Sequence, residues 1–224
     1  YTPVSTEPKK IKIGADSTQN VINFYYYRNV KLTANSDTVT YDGNDRSVSG
    51  FTGEPKEADF SAITVGATGK NFGTYPAAFA EGTVGTVDKT KKYIVTKTTD
   101  GQLTINKRNV VLTSETASKE YDGMALTRPV VAVTGDGFVD GEVAGIAAEG
   151  KVTHVSEGKV TNTITYKPVG GKFNADNYTI TKNEGELWIT GSTKEVVVEI
   201  EGRTKTVTYN GEEHTAWQYD VVRI

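Results

Sequence analysis

Few side chains in this 224-residue chain are spaced for chemistry. The two histidines, His154 and His214, stand in unlike surroundings, one in a polar stretch and one beside a turn. A shared general-base or metal role needs them together with an orienting carboxylate. No Gly-x-Ser-x-Gly turn is present to lift a serine nucleophile. Cysteine is absent, which removes disulfides, zinc-thiolate sites and thiol nucleophiles together. Asp and Glu number 28, enough for a chance glycosidase pair, but short repeats offer such a pair no deep cleft. The chain is therefore expected to be non-catalytic and to need no cofactor.

Two features are spaced for binding instead. The loop Asp136-Gly137-Phe138-Val139-Asp140-Gly141-Glu142 places the carboxylates of Asp136, Asp140 and Glu142 near one another, and calcium takes six to eight oxygens. The loop lacks EF-hand spacing, so a solvated turn is the plainer expectation. Exposed aromatic rings stack on pyranose faces, and the candidates are Tyr25, Tyr27, Trp188 and Trp217. Tyr25 and Tyr27 alternate with Phe24 and Tyr26, so one pair is expected to pack inward if the run is a strand. Trp188 projects opposite Leu187 and Ile189, and Thr104 holds its place in the preceding repeat, as an outward position would allow.

The elements that must position these residues repeat. Tyr41-Asp42-Gly43, Tyr121-Asp122-Gly123 and Tyr209-Asn210-Gly211 recur at separations of 80 and 88 residues. Asn-Val-x-Leu-Thr opens at 29 and again at 109. Asp100-Gly101-x-Leu103-x-Ile105 closes the first unit and Glu184-Gly185-x-Leu187-x-Ile189 the second. Alternating runs such as Thr38-Val39-Thr40-Tyr41 and Thr206-Val207-Thr208-Tyr209 read as half-buried strands. Asp-Gly and Asn-Gly favour positive φ at both central positions of a tight hairpin, so each Tyr-Asp/Asn-Gly is expected to turn a β-hairpin.

These spacings predict an all-β chain of tandem repeats, each large enough for one sandwich core. Helix is expected only as single turns near Pro55–Phe60 and Phe138–Val143. Residues 1–28 read as a tail and the last strand of something upstream, with Val21–Tyr27 as the strand. Complete repeats are expected at 29–107 and 108–190. Residues 191–224 read as a truncated third repeat, opening with the strand Glu195–Ile200, too short to bury a sandwich core. A net charge of −3 with scattered Lys and Arg gives no basic groove for nucleic acid. No run of eighteen apolar residues suggests membrane insertion.

The run Lys119-Glu120-Tyr121-Asp122-Gly123, Val133-Thr134-Gly135-Asp136-Gly137-Phe138, Asn177-Tyr178-Thr179-Ile180-Thr181 and Gly185-x-Leu187-x-Ile189 resembles the YDG and MBG type repeats of bacterial cell-surface proteins. The first repeat is similar to a sister form, and Ile11–Tyr27 resembles the last strands of a mucin-binding (MucBP-like) module. The resemblance implies tandem Ig-like β-sandwich repeats in an elongated array, part of a secreted, extracellular, cell-wall-attached adhesin of a Gram-positive bacterium, and supplies no catalytic residues. On that footing the chain is expected to be a spacer whose partners are neighbouring repeats. The alternative is a module that binds mucin glycans or a host protein, and an enzyme is the third reading.

Overall fold

A computed structural model describes residues 1–5, 9, 10, 13–16, 18, 21–216 and 218–223. The protein is nearly all β. Strand β1 (Thr2–Pro3) comes first. The first repeat supplies β2 (Tyr26–Ala34), β3 (Asp37–Thr40), β4 (Arg46–Ser49), β5 (Phe51–Thr52), β6 (Gly66–Gly69), β7 (Gly73–Ala77), β8 (Tyr93–Thr99) and β9 (Gly101–Asn106). The second supplies β10 (Arg108–Ser114), β11 (Ala117–Glu120), β12 (Leu126–Thr127), β13 (Val131–Gly135), β14 (Val143–Ala148) and β15 (Lys151–Val152). It continues with β16 (Val160–Asn162), β17 (Ile164–Pro168), β18 (Tyr178–Asn183) and β19 (Gly185–Thr190), and β20 (Glu199–Gly202) and β21 (Tyr219–Arg223) follow.

Opening and closing strands of each repeat run parallel, in matching register. β2 pairs β8 with Arg28 opposite Tyr93, and β10 pairs β18 with Arg108 opposite Tyr178. β3 pairs β9 with Asp37 opposite Leu103, and β11 pairs β19 with Ala117 opposite Leu187. One extra residue separates Tyr93 from Leu103 compared with Tyr178 from Leu187. A bulge in the first repeat absorbs it: the register jumps from Val30↔Val95 to Lys31↔Lys97, passing over Thr96.

The recurring motifs are the core. Val30, Leu32, Leu103 and Ile105 are buried, and so are their counterparts Val110, Leu112, Leu187 and Ile189. The recurring glycine is a close-approach position: a Cβ on Gly101 would lie 2.2 Å from the Asn35 carbonyl oxygen, and one on Gly185 2.3 Å from that of Glu115. One core pair changes chemistry between repeats. Buried Ala34 and Ala77 become Ser114 and Asn162. Ser114 Oγ donates to the Asn162 carbonyl, while the Asn162 amide donates to Glu115 O and Arg128 O and its Oδ1 accepts from Gly150 N. A fully buried amide is tolerated there because each of its polar atoms is paired.

Several expectations are corrected. The Tyr-Asp-Gly segments do not turn hairpins: β3 pairs β9 whereas β4 pairs β6, and β11 pairs β19 whereas β12 pairs β15, so the chain leaves one sheet for another at the turn. Among the described residues only Lys91 and glycines have positive φ, so Asp42, Asp122 and Asn210 do not. Each of these side chains instead accepts the N–H two residues on, from Asn44, Met124 and Glu212, an Asx turn that leaves only the glycine left-handed. No helix forms at 55–60 or 138–143. Isolated bonds from Ala58 N to Pro55 O and from Glu142 N to Val139 O make turns that do not propagate. The described helices are 3₁₀ turns at Val155–Glu157 and Ala175–Asn177.

The Val21–Tyr27 run is not one strand: β2 starts at Tyr26, where it pairs with β1, and Val21 and Phe24 remain exposed. Glu195–Ile200 is likewise not a strand through its length. β20 starts at Glu199, and Val196, Val197 and Val198 are exposed. The alternating run 206–209 before the third turn is not a strand either, and among the described residues nothing pairs with it as β9 pairs with β3.

Two compact units cut across the repeats. One takes residues 1–113, 131–147 and 164–183, and the other takes 114–130, 148–163 and 184–224. The first unit holds a core of Tyr41, Leu103, Ile105, Val110, Leu112, Ile164 and Tyr178, drawn from both repeats, and β9 passes into β10 through Lys107 alone. The second unit holds its own cluster of Leu126, Val152, Leu187 and Ile189.

Candidate functional site

Within the first unit the parallel pairing of β3 on β9 carries Tyr41 to the strand end, where its N–H donates to Asn106 O at 2.9 Å. The turn that follows aims its ring at the second repeat. There Tyr178 opens β18, and the 140–142 turn presents Glu142 just ahead of β14. The Tyr41 hydroxyl donates to Glu142 Oε1 at 2.6 Å, and the Tyr178 hydroxyl donates to Oε2 at 2.6 Å. Val139 N donates to the Tyr178 hydroxyl at 3.1 Å.

Rings enclose this bridge. Tyr41 meets Tyr178 edge-on with centroids 5.6 Å apart, Phe173 stacks on Tyr178 at 5.4 Å, and Phe138 sits 5.3 Å away. Glu142 is only 6% exposed and Tyr41 only 2%, so the hydrogen bonds act where water competes little. Burial, then the hydrogen bond to Glu142 and its charge, push the Tyr41 hydroxyl up to about 12. The same causes raise Tyr178.

Three further groups complete the lock. Arg108 donates to Tyr41 O through Nη1, to Gly137 O through Nε and to Asp136 O through Nη2. Asn177 accepts from Phe72 N at 2.7 Å and donates to Asn71 Oδ1 at 3.0 Å. Gly43 lies so close that a Cβ there would be 2.9 Å from Val139 Cγ1. An open cleft of about 650 Å³ runs along this seam, edged by Asp42, Lys70, Asp140, Lys172 and Asn174.

The three carboxylates of the candidate calcium loop are engaged separately. Glu142 is spent on two phenols, Asp136 Oδ2 accepts from Asn109 N at 2.9 Å, and Asp140 is exposed on the cleft edge. Among the described residues no three His, Asp or Glu side chains come together as a metal would require. The histidines serve separately: the His154 ring lies 6.1 Å from that of Tyr121, tilted by 33°, and His214 Nε2 lies 2.8 Å from Asn210 Oδ1.

The aromatic candidates are scattered. Tyr25 is 63% exposed with Lys9 Nζ 5.0 Å from its ring, whereas Tyr27 is half-buried where β1 covers it. Trp188 is half-buried on the outer face of β19, beneath Lys159, whose ammonium lies 5.0 Å from the ring and bonds Glu186. Trp217 lies outside the described residues. The three motif tyrosines diverge: Tyr41 is buried, Tyr121 is 43% exposed and Tyr209 is 92% exposed.

Sequence reasoning marked Tyr41 as a turn and Glu142 as a calcium ligand, but missed Arg108, Asn177 and Tyr178 as members of one site. A signal was present for two of them. Arg108 follows Arg28 and Tyr178 follows Tyr93 at matched repeat positions. Among the described residues no helix is long and apolar enough to cross a membrane. No protein-family model, curated protein or solved structure matches the chain.

Proposed function

We propose that this chain serves as a non-catalytic spacer in a bacterial cell-wall-attached surface adhesin, built from Ig-like repeats of the YDG and MBG type. The observation that carries the reading is the lock between repeats. Tyr41, Glu142 and Tyr178 tie the first repeat to the second inside a common core, which suits a segment that must hold its form and transmit load. The hydroxyls of Tyr41 and Tyr178 are used on Glu142, and the rings of Phe138, Phe173 and Tyr178 pack on one another. Nearest-neighbour contacts of this kind make stability additive along an array. The lack of cysteine fits export to a Gram-positive surface, and the motif residues resemble such repeats.

A second reading is favoured by one patch. Tyr1, Phe24, Tyr25 and Tyr26 are all more than half exposed and edge one apolar hollow, a platform on which a sugar ring or host protein would stack. The test is binding of the folded chain to immobilised mucin and a glycan array. The spacer reading expects no saturable binding. Saturable binding lost on Tyr25→Ala or Trp188→Ala would replace it with a recognition module.

A further inference from the structure

The turn of the second repeat reproduces the turn that carries Tyr41. Gly43 and Gly123 have φ of 81° and 80°. Asp42 accepts from Asn44 N at 3.1 Å, and Asp122 accepts from Met124 N at 2.9 Å. Tyr41 N donates to Asn106 O at 2.9 Å, and Tyr121 N donates to Thr190 O at 3.0 Å. The loop that assists Tyr41 recurs as well. Asn71 and Phe72 follow β6, which pairs β4, and Thr153–Val155 follow β15, which pairs β12 at the equivalent register. In the second repeat that loop lies beside its tyrosine, with the His154 ring 6.1 Å from Tyr121. Both parts are preformed, yet Tyr121 is 43% exposed where Tyr41 is 2% exposed, and Val155 is 49% exposed.

We infer that the face made by the Tyr121 turn and the 153–157 loop is a docking surface for a further β repeat that presents the socket seen around Glu142. Its occupant offers a carboxylate set between aromatic rings to receive the Tyr121 hydroxyl. It also offers an arginine for the Tyr121 carbonyl and an amide side chain for the loop. The internal pair fixes this chemistry, because the same tripeptide in the same conformation is already bound that way once within the chain. Exposed tyrosine at a preformed turn is also suited to such a role, since its ring is large and loses little freedom on docking. The inference rests on the spacer reading only in taking repeats to be one another's partners.

The test duplicates residues 107–190 between Thr190 and Gly191 of the full chain, so that the join reproduces Asn106–Lys107. Amide hydrogen exchange is then followed at 120–124 and 153–157, with the copy's own β10–β18 pair reporting whether the copy has folded. Docking slows exchange in both segments at least tenfold, and Tyr121→Phe, nearly silent in the parent, reverses much of that protection. Unchanged exchange overturns the proposal, whether the copy folds away from the turn or fails to fold on it. Glycan binding by the parent would overturn the spacer reading and leave this result untouched.

Discussion

Tyr41 and Glu142, 101 residues apart in sequence, share a 2.6 Å hydrogen bond inside a core that both repeats build. Replacing the tyrosine with phenylalanine keeps the ring and strips one donor from a buried carboxyl oxygen. Leaving such an acceptor unpaired costs about 1–3 kcal/mol. Tyr41→Phe should therefore lower the chemical-denaturation midpoint clearly. Tyr121→Phe, at the matching position but half open to water, should shift it by less than about 0.5 kcal/mol. Equal effects from the two would remove the distinction between a bound and an unbound turn.

The same bridge sets an alkaline limit. The Tyr41 hydroxyl is raised from 10.0 to about 12 in the folded chain, so the unfolded chain releases its proton first. The contribution is complete below pH 10 and is lost as pH climbs from 10 through about 12. Melting temperature measured from pH 9 upward should fall more steeply for the parent than for Tyr41→Phe.

Asp88 governs the opposite end of the scale. The residue is 2% exposed, and burial alone would raise its pKa. Hydrogen bonds from Thr90 and from the backbone N–H groups of Tyr93, Lys92 and Asp59 outweigh burial and hold it at about 2. Because the folded value lies below the unfolded 3.8, its contribution is present above pH 3.8 and disappears as pH falls through about 2. Asp88→Asn should lower the neutral-pH melting temperature and flatten the acid loss between those limits.

The recurring glycines yield a matched pair of mutations. An added methyl at Gly101 or Gly185 would press on a backbone carbonyl at 2.2 or 2.3 Å, and overpacking of that kind costs about 1–3 kcal/mol. Gly170→Ala, with nothing within 4 Å of the added carbon, is the control and should be nearly silent. Thermal melts of the three variants would decide the matter.

Much of the architecture was legible because repetition and burial coincide. Val110 and Leu112 repeat Val30 and Leu32, and all four are core residues. The glycine of the closing motif was visible as a repeat, but its cause, a carbonyl of the Asn35 or Glu115 turn far off in sequence, is a long-range contact that periodicity does not encode. The turn type was misread because Asp-Gly is ambiguous. An Asx bond can satisfy the turn without forcing the aspartate left-handed, and the chain then changes sheet instead of doubling back. Glu142 was singled out for its charge and neighbours in sequence. Its partners Tyr41 and Tyr178 lie 101 and 36 residues away, and no spacing rule joins them.

Native-state hydrogen exchange of the parent and of Tyr41→Phe tests the central claim, that the first repeat and the adjoining part of the second are locked into one cooperative body. The amides of Leu103 and Ile105 in β9 and of Val110, Leu112 and Ile180 in β10 and β18 should share a common opening free energy. Tyr41→Phe should lower all of them together. Opening of the β10 and β18 amides well before those of β9, or a loss in the mutant confined to one repeat, would contradict it.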